Sequence, residues 1–439
     1  MKKPALHQLL IMLVIGCAGH SQTIAPNYEV GTWRGFRSVA VTYTFDDACS
    51  NQFALAIPMF NEHDFNLTLF TATATDWIGT PDWTNLQEAA DQGHEIASHT
   101  VTHTNMSGMG DSLQTFELEQ SKADIEAHIT GQKCITVAYP YCVSAKKSIC
   151  EQHYIAGRIC SGNLISRNPT DFMNLSSFVC GDQGSTRTAK DFMARARSAI
   201  KSRGWAVHLL HGIDNDGGWS PVASEELRAS LDSLSANSDK FWVETFGNVV
   251  RYIKERNAVS VSETSVLDSR ITVQMTDELD DEIYDYPVTI RRLLPDGWPS
   301  ATASQNGLAV PYRMVESDVA LFIEFDVVPD GGDILLSRSN ESGVRAGGGI
   351  TAISPVLSQN YPNPFNPSTT LHFSLAAAGN VTLKVFNALG KEVQTLIRGR
   401  LPAGSHSAVF RAEGLESGVY FCRLEDGAAI QYRKMLLLK

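Results

Sequence analysis

Five polar side chains in the first half of the chain are of the types that bind metal ions and transfer protons. Asp46 and Asp47 are adjacent, His99 and His103 are four residues apart, and His211 lies farther along. On a helical turn, a spacing of four places two imidazoles on one face, where both can bind one metal ion. Two imidazoles and one carboxylate leave positions open for water and substrate, as catalytic zinc sites require. The set is therefore typical of a catalytic metal site.

Each of these residues also has an ordinary structural interpretation. An Asp-Asp pair after a strand most often forms a turn or a helix cap. A single histidine is more often hydrogen-bonded than catalytic, and two histidines without a nearby acid are more often surface residues. The catalytic interpretation therefore depends on whether the fold brings the five side chains together.

The pattern of the surrounding segments predicts such a fold. Strand-like runs alternate with helical runs, the strands at 39–45, 66–72, 94–98, 135–139 and 205–210 and the helices at 51–62, 84–92, 113–130, 189–203, 223–235 and 245–256. This alternation predicts an α/β fold with a parallel, barrel-like sheet. Asp46, His99, Pro140 and His211 directly follow predicted strands, and active sites of α/β barrels lie at the C-terminal ends of their strands. We therefore expect a single shared site.

Four short motifs at these strand ends resemble, in order, those of the NodB-type polysaccharide deacetylases, carbohydrate esterase family 4. They are TFDD (44–47), SHTVTH (98–103), AYPY (138–141) and LLH (209–211). The resemblance extends over residues 37–257. It implies a distorted (β/α) barrel of the polysaccharide deacetylase type, with a catalytic domain over 22–258.

The resemblance also implies a role for each motif residue. Asp46 would be the general base and His211 the general acid. Asp47, His99 and His103 would hold a divalent metal, zinc in the first place, with cobalt or nickel as alternatives. A metal at this position makes water easier to deprotonate and polarises the acetyl carbonyl.

The third motif is expected to bind the substrate. The backbone N–H of Tyr141, next to Pro140, would stabilise the oxyanion. The implied reaction is hydrolysis of acetyl groups from an N-acetylglucosamine-containing polysaccharide or oligosaccharide of the chitin or peptidoglycan type. Acetyl-xylan esterase activity is the alternative of the same class, and a non-catalytic carbohydrate-binding surface protein is the alternative of another class.

The chain departs from the family at two points. Ala138 stands where the third motif commonly has the arginine that braces the catalytic aspartate, so Arg158 or Arg167 would have to replace it if they are not ordinary surface residues. The fourth motif has no secure match, and Asp171 and Asp182 are weak candidates for its acid.

Two further units follow, both with short strands and turn-rich connections. Residues 262–342 predict a β-sandwich accessory domain, whose aromatic residues suit a core better than a sugar-binding surface, and GVRAGGG (343–349) has the composition of a linker. Residues 354–439 predict a second, immunoglobulin-like sandwich. This unit resembles a type IX secretion sorting domain in three segments, YPNPFNPST (361–369), VFNALGKEV and SGVYFCRL. The resemblance implies that secretion machinery is a partner of the protein. The alternative is an ordinary accessory sandwich.

The N-terminus, the cysteines and the charge fit an exported protein. A basic start, an apolar run and small residues predict a signal peptide over 1–21. We therefore expect a secreted or outer-surface protein, and the alternative is a lipoprotein anchored at Cys17. The apolar run is too short to span a bilayer. Six cysteines between positions 49 and 180 could form up to three disulfides, and Cys422 is left over as a free thiol. A net charge of −12 argues against nucleic-acid binding but would not repel a neutral polysaccharide.

Overall fold

The computed structural model describes residues 22–74, 82–317, 320–339, 356–357, 360, 363–375, 379–401, 404–425 and 430–438. The predicted signal peptide, with Cys17, and the predicted linker at 343–349 lie outside these residues.

A curled parallel sheet forms the centre of the first unit. Its strands are β2 (Val39–Asp46), β3 (Thr68–Thr71), β4 (Glu95–Ser98), β5 (Thr136–Ala138), β6 (Ala156–Arg158), β7 (Phe178–Val179), β8 (Trp205–Leu210) and β9 (Phe241–Val243), whereas the preceding strand, β1 (Tyr28–Val30), is not part of this sheet. The order is β6-β5-β4-β3-β2-β8-β7, with β9 also paired to β2, and a parallel bridge from Arg158 to Leu175 connects β6 to the segment before β7. All eight residues of β2 are buried, as expected for a strand covered on both faces. The predicted distorted barrel is confirmed.

Seven α-helices connect and cover these strands within the described residues. They are α1 (Ile57–Glu62), α2 (Trp83–Asp91), α3 (Asp111–His128), α4 (Lys147–Cys150), α5 (Ala189–Ser198), α6 (Ser224–Ser235) and α7 (Phe246–Ala258). Helix α1 continues a π-helical stretch at Gln52–Ala56. The helix predicted at 189–203 ends early, because after Ser198 the chain forms tight turns, such as the bond from Arg203 N–H to the Ile200 carbonyl.

The middle unit is a sandwich of two antiparallel sheets. Its strands are β10 (Ser260–Leu267), β11 (Arg270–Thr276), β12 (Val288–Leu293), β13 (Ser300–Gln305), β14 (Leu308–Ala309), β15 (Tyr312–Ser317), β16 (Ala320–Val327) and β17 (Ile334–Ser339). One sheet has the order β10-β11-β17-β13-β14, and the other has the order β1-β12-β16-β15. Strand β1 therefore precedes the barrel in sequence but belongs to the sandwich in space.

The barrel and this sandwich share one apolar core. Trp33 and Tyr252 from the first unit pack in the same cluster as Val288 and Ile290 from β12. The sandwich aromatics singled out by sequence are buried or half-buried, as their alternation predicts; they are Tyr284, Tyr286, Trp298, Tyr312, Phe322 and Phe325. None of these six residues is among the exposed large hydrophobic side chains.

The C-terminal unit is a second antiparallel sandwich with its own core. Its strands are β18 (Val356–Leu357), β19 (Ser368–Leu375), β20 (Gly379–Asn387), β21 (Glu392–Leu401), β22 (Gly404–Arg411), β23 (Gly418–Glu425) and β24 (Ile430–Leu437). The sheets are β18-β19-β22 and β21-β20-β23-β24. Cys422 is buried in the core and forms no disulfide, as predicted. Both predicted all-β units are confirmed.

Among the helices described, none has the length and apolar composition that crossing a membrane requires.

Candidate metal centre and active site

The ends of β2, β4 and β8 bring the five predicted side chains together. His99 Nε2 lies 3.6 Å from Asp46 Oδ2 and 3.7 Å from Asp47 Oδ1. His103 Nε2 lies 3.6 Å from the same Asp47 oxygen, and His211 Nε2 lies 3.8 Å from Asp46 Oδ2. Two carboxylates and three imidazoles therefore surround one point at the C-terminal edge of the sheet.

Asp47, His99 and His103 form a group whose ligand atoms all lie within 4.8 Å of one another. Asp47 Oδ1 is buried and accepts no hydrogen bond among the described residues, so its desolvation is uncompensated by protein donors. Ligands held tetrahedrally about 2.1 Å from an ion are about 3.4 Å apart, close to the separations here. His99 Nδ1 donates to the Ala138 carbonyl at 2.8 Å, which leaves the lone pair of Nε2, 3.7 Å from Asp47 Oδ1, available to a metal ion. The set fits a divalent metal.

The segment that joins His99 to His103 is a bent loop. It is not a helical turn, because Thr100 and His103 adopt left-handed backbone conformations, with φ values of 68° and 56°. The two imidazoles still lie close, with ring centroids 4.7 Å apart and planes at 73°. The loop therefore achieves by backbone bending what a helical turn would achieve by periodicity.

Glu117 stabilises this loop from helix α3. Its buried carboxylate accepts hydrogen bonds from the N–H groups of Val101 and Thr102, both at 2.9 Å, and from the Thr102 hydroxyl at 2.6 Å. Sequence reasoning missed this residue. The available signal was a carboxylate within the buried stripe of α3, where Leu118 and Ile125 are apolar.

Replacing Glu117 with glutamine should weaken metal binding roughly 10- to 100-fold, the range seen when groups that support metal ligands are changed. Glutamine keeps the size of the side chain but has no negative charge and only one acceptor oxygen, so it cannot accept from the two backbone N–H groups with one oxygen and from the Thr102 hydroxyl with the other. Competition with a metal-binding dye would measure the affinity. Glu119→Gln, an exposed change on the same helix, is the control, and equal affinities of the two variants would contradict the role of Glu117.

Arg158 supplies the guanidinium that the chain lacks at position 138. Its Nη2 donates to Asp46 Oδ2 at 2.6 Å, and both side chains are buried. Strand pairing sets Arg158 directly beside Ala138, one strand over, so the guanidinium approaches the aspartate from β6 instead of β5. Arg167, the other candidate, is exposed.

These neighbours determine the charge of Asp46. Burial alone would raise the pKa of this carboxyl, but Arg158, His99 and His211 hold the pKa below its usual value. Asp46 is therefore ionised at neutral pH, as a general base must be.

The turn that carries Tyr141 is bent and covalently tied. Tyr141 and Cys142 have φ values of 55° and 61°, and the Tyr141 ring is 65% exposed and lies 5.1 Å from the His103 ring. A disulfide joins Cys142 to Cys160, two residues after Arg158. It links the turn to the strand that braces Asp46. The other described cysteines are free, so one disulfide forms where up to three were expected.

Gly157 explains how closely these two segments pack. A Cβ atom at this position would lie 2.3 Å from the hydroxyl oxygen of Tyr139. Only glycine lets the Tyr139 ring cross β6 directly beside Arg158.

His211 has neighbours that the sequence did not reveal. Gln52 Nε2 donates to the carbonyls of both Asp46 and His211, at 2.6 and 2.9 Å, which joins the ends of β2 and β8. The Trp219 ring packs against the imidazole with centroids 4.8 Å apart. Burial lowers the pKa of His211, and the nearby Asp46 carboxylate opposes this effect.

Neither candidate for the fourth-motif acid bonds to His211. The Nδ1 atom of His211 is buried without a hydrogen-bond partner among the described residues. Asp182 is exposed, and Asp171 accepts from the N–H of Met173 and pairs with Lys147.

Several known proteins are similar to this chain. A gellan lyase from a Bacillus species is 27% identical over 401 residues, which are 85% of this chain and 15% of that protein. Similar solved structures include a putative polysaccharide deacetylase from Mycobacterium smegmatis (15% identity, TM-score 0.40, covering 56% of this chain and all of that one). A family 4 carbohydrate esterase from Bacillus anthracis is 16% identical, with a TM-score of 0.34, and the match covers 51% of this chain and 86% of that one.

Models of two families match the sequence directly. The model described as polysaccharide deacetylase matches residues 35–154, and the model described as secretion system C-terminal sorting domain matches residues 359–439. The first match includes Asp46, Asp47, His99, His103 and Tyr141. Residues 35–154 therefore belong to a domain of the NodB-type polysaccharide deacetylase family, and residues 359–439 belong to a secretion system C-terminal sorting domain.

Proposed function

We propose that the barrel hydrolyses acetyl groups of N-acetylglucosamine-containing polysaccharides or oligosaccharides, of the chitin or peptidoglycan type. The observation that carries this proposal is the gathering of Asp47, His99 and His103 beside an ionised Asp46. A divalent metal, zinc in the first place, with cobalt or nickel as alternatives, would be held by these three residues. The family match over residues 35–154 supports the same class of reaction.

The chain's own groups divide the work of the reaction. A divalent metal, when bound, would acidify a water molecule and polarise the acetyl carbonyl. Asp46 accepts the proton of the attacking water, and the backbone N–H of Tyr141, beside Pro140, donates to the oxygen on which negative charge develops. His211 donates a proton to the departing atom of the sugar. An amine leaves poorly without that proton, so an N-acetyl substrate makes full use of His211.

Arg158 weighs against a non-catalytic carbohydrate-binding role. The absence of an arginine at position 138 would favour a degenerate site, but Arg158 supplies a guanidinium to the same carboxylate. A protein that only binds sugar has no need to hold a buried aspartate ionised between an arginine and two histidines.

Acetate release from defined polymers tests the substrate. Acetylated chitooligosaccharides and peptidoglycan are compared with acetyl-xylan, and gellan is added because a relative bears the name gellan lyase. We expect release from the N-acetylglucosamine substrates. Release from acetyl-xylan alone would replace the proposal by esterase activity, and binding of all polymers without release would support the non-catalytic alternative.

Removing the metal should abolish acetate release. Exhaustive chelation should lower kcat by several orders of magnitude, and added zinc, cobalt or nickel should restore it. His99→Ala should lose both metal and activity, whereas His128→Ala, at an exposed position on α3, should keep both. Elemental analysis of each purified variant measures the metal, and full activity of metal-free protein would overturn the mechanism.

We further propose that the protein acts outside the cell. The sorting domain indicates export, and residues 1–21 would direct the first membrane crossing as a signal peptide, with lipidation at Cys17 as the alternative. Fractionation of cells expressing the full chain or the chain without 354–439 tests the route, and equal secretion of both would exclude a sorting role.

A further inference from the structure

Trp219 is an exposed aromatic residue beside the site. Among the described tryptophans, which include Trp33, Trp205, Trp242 and Trp298 at 6% exposure or less, only Trp219 is highly exposed, at 52%. Rings of this size are normally buried in soluble proteins, so a large exposed one beside a reactive centre calls for a partner.

The loop that carries Trp219 is held by its backbone. Gly212 N–H donates to the Trp219 carbonyl at 3.2 Å, and Val222 N–H donates back to the Gly212 carbonyl at 3.0 Å. The Asp216 carboxylate accepts from the N–H groups of Ile213 and Gly218, at 3.2 and 3.0 Å. The indole is therefore presented by a structured loop that starts directly after His211.

Close packing at the base of this loop also restricts its conformation. A Cβ atom on Gly218 would lie 2.6 Å from the Gly212 Cα and 2.7 Å from the Cys49 sulfur, so a side chain there would force the two segments apart. On the other side of Trp219, the Ser220 hydroxyl donates to the Cys180 carbonyl at 2.8 Å. Both neighbours of the exposed ring are thus fixed to the barrel.

The position of Trp219 relative to His211 indicates what it contacts. The two rings are perpendicular, at 80°, with centroids 4.8 Å apart. The other highly exposed ring at the site, Tyr141, lies instead against His103, a metal-ligand candidate. The atom that His211 protonates is attached to the sugar, so the sugar must lie on the His211 side of the site, where Trp219 is.

We infer that the exposed face of Trp219 stacks on a pyranose ring of the acetylated saccharide. One face of a pyranose presents C–H groups, which are apolar enough to pack on an indole and to bury its exposed surface. This inference rests on the proposed function, since it takes the orientation of the sugar from the role of His211. It assigns Trp219 to substrate binding and leaves proton transfer to His211.

Substitution of Trp219 tests the inference with two substrates. The ratio of kcat/KM on acetylated chitooligosaccharide to kcat/KM on 4-nitrophenyl acetate, which has no sugar ring, should fall roughly tenfold or more in Trp219→Ala, as expected for loss of an aromatic binding residue. Trp219→Tyr should recover much of the ratio. Tyr432→Ala, at an exposed aromatic of the sorting domain, is the control and should keep the ratio of the unmodified protein.

A binding measurement separates this inference from the proposed function. In an Asp46→Asn background, in which turnover should be slow enough for a titration, calorimetry with chitooligosaccharide should show binding that Trp219→Ala weakens by a similar factor. An unchanged ratio and unchanged binding in Trp219→Ala would overturn the inference. A lower ratio with unchanged binding would overturn it too and would indicate an effect on His211, because 4-nitrophenolate leaves without the proton that an amine needs. Absence of saccharide turnover in the unmodified protein would instead contradict the proposed function.

Discussion

Asp46→Asn should lower kcat for acetate release roughly 10²- to 10⁴-fold, the range for loss of a general base. The amide has nearly the same shape but cannot accept a proton. The three side chains that fit a metal are not changed, so metal content should stay near that of the unmodified protein. Steady-state kinetics and elemental analysis of the same preparation measure both quantities.

The Asp46→Asn result has a matched control and a clear contrary outcome. Asp182→Asn changes a carboxylate that is exposed and does not bond to the site, and it should leave kcat unchanged. Loss of metal together with activity in Asp46→Asn would assign Asp46 to the metal ligands. Retention of full activity would remove it from the mechanism.

Arg158→Ala should reduce kcat strongly and destabilise the fold. The substitution leaves Asp46 as a buried carboxylate without its guanidinium partner, and breaking one half of a buried pair costs about 3–5 kcal/mol. Asp46 would then be ionised less readily and held less firmly, so the base would be less effective. Kinetics together with thermal unfolding would separate the loss of activity from loss of folded protein.

Moving the arginine across the sheet makes this prediction specific. Ala138 and Arg158 are register partners on neighbouring parallel strands. The double variant Ala138→Arg, Arg158→Ala returns a guanidinium to the position that the family commonly uses, and we expect it to regain a large part of the lost kcat. If the double variant folds but is no more active than Arg158→Ala, Arg158 does more than brace Asp46.

The sequence was sufficient to predict the barrel and the five central side chains, because both depend on local patterns. Strand and helix periodicities are visible in one segment at a time, and parallel strands bring their C-terminal ends to one edge. Asp46, His99 and His211 could therefore be grouped before any distance was known.

Among the residues that act on this group from elsewhere, Glu117 was missed, and Arg158 was one of two candidates between which the sequence could not choose. Glu117 supports the histidine loop from a helix, and Arg158 reaches Asp46 only because β6 pairs with β5 in a particular register. The left-handed conformations of Thr100 and His103 could not be predicted either, because a spacing of four residues does not distinguish a helical turn from a bent loop. Trp219 stood in a loop whose position depends on strand pairing at a distance.

Strand β1 lies before the barrel in the sequence but pairs with β12 of the middle sandwich, so the barrel and the sandwich form one structural unit. Tyr286 of the sandwich donates its N–H to Glu255 and its hydroxyl to Glu244, both on the barrel side, and Tyr252 packs in the core that they share. A chain that ends at residue 258 would lack the strand that pairs with β1 and would expose the aromatic side chains of the shared core to water. Such a chain should aggregate. The barrel and the middle sandwich should therefore unfold in one thermal transition. A fusion that transfers the barrel to another protein would have to include the sandwich.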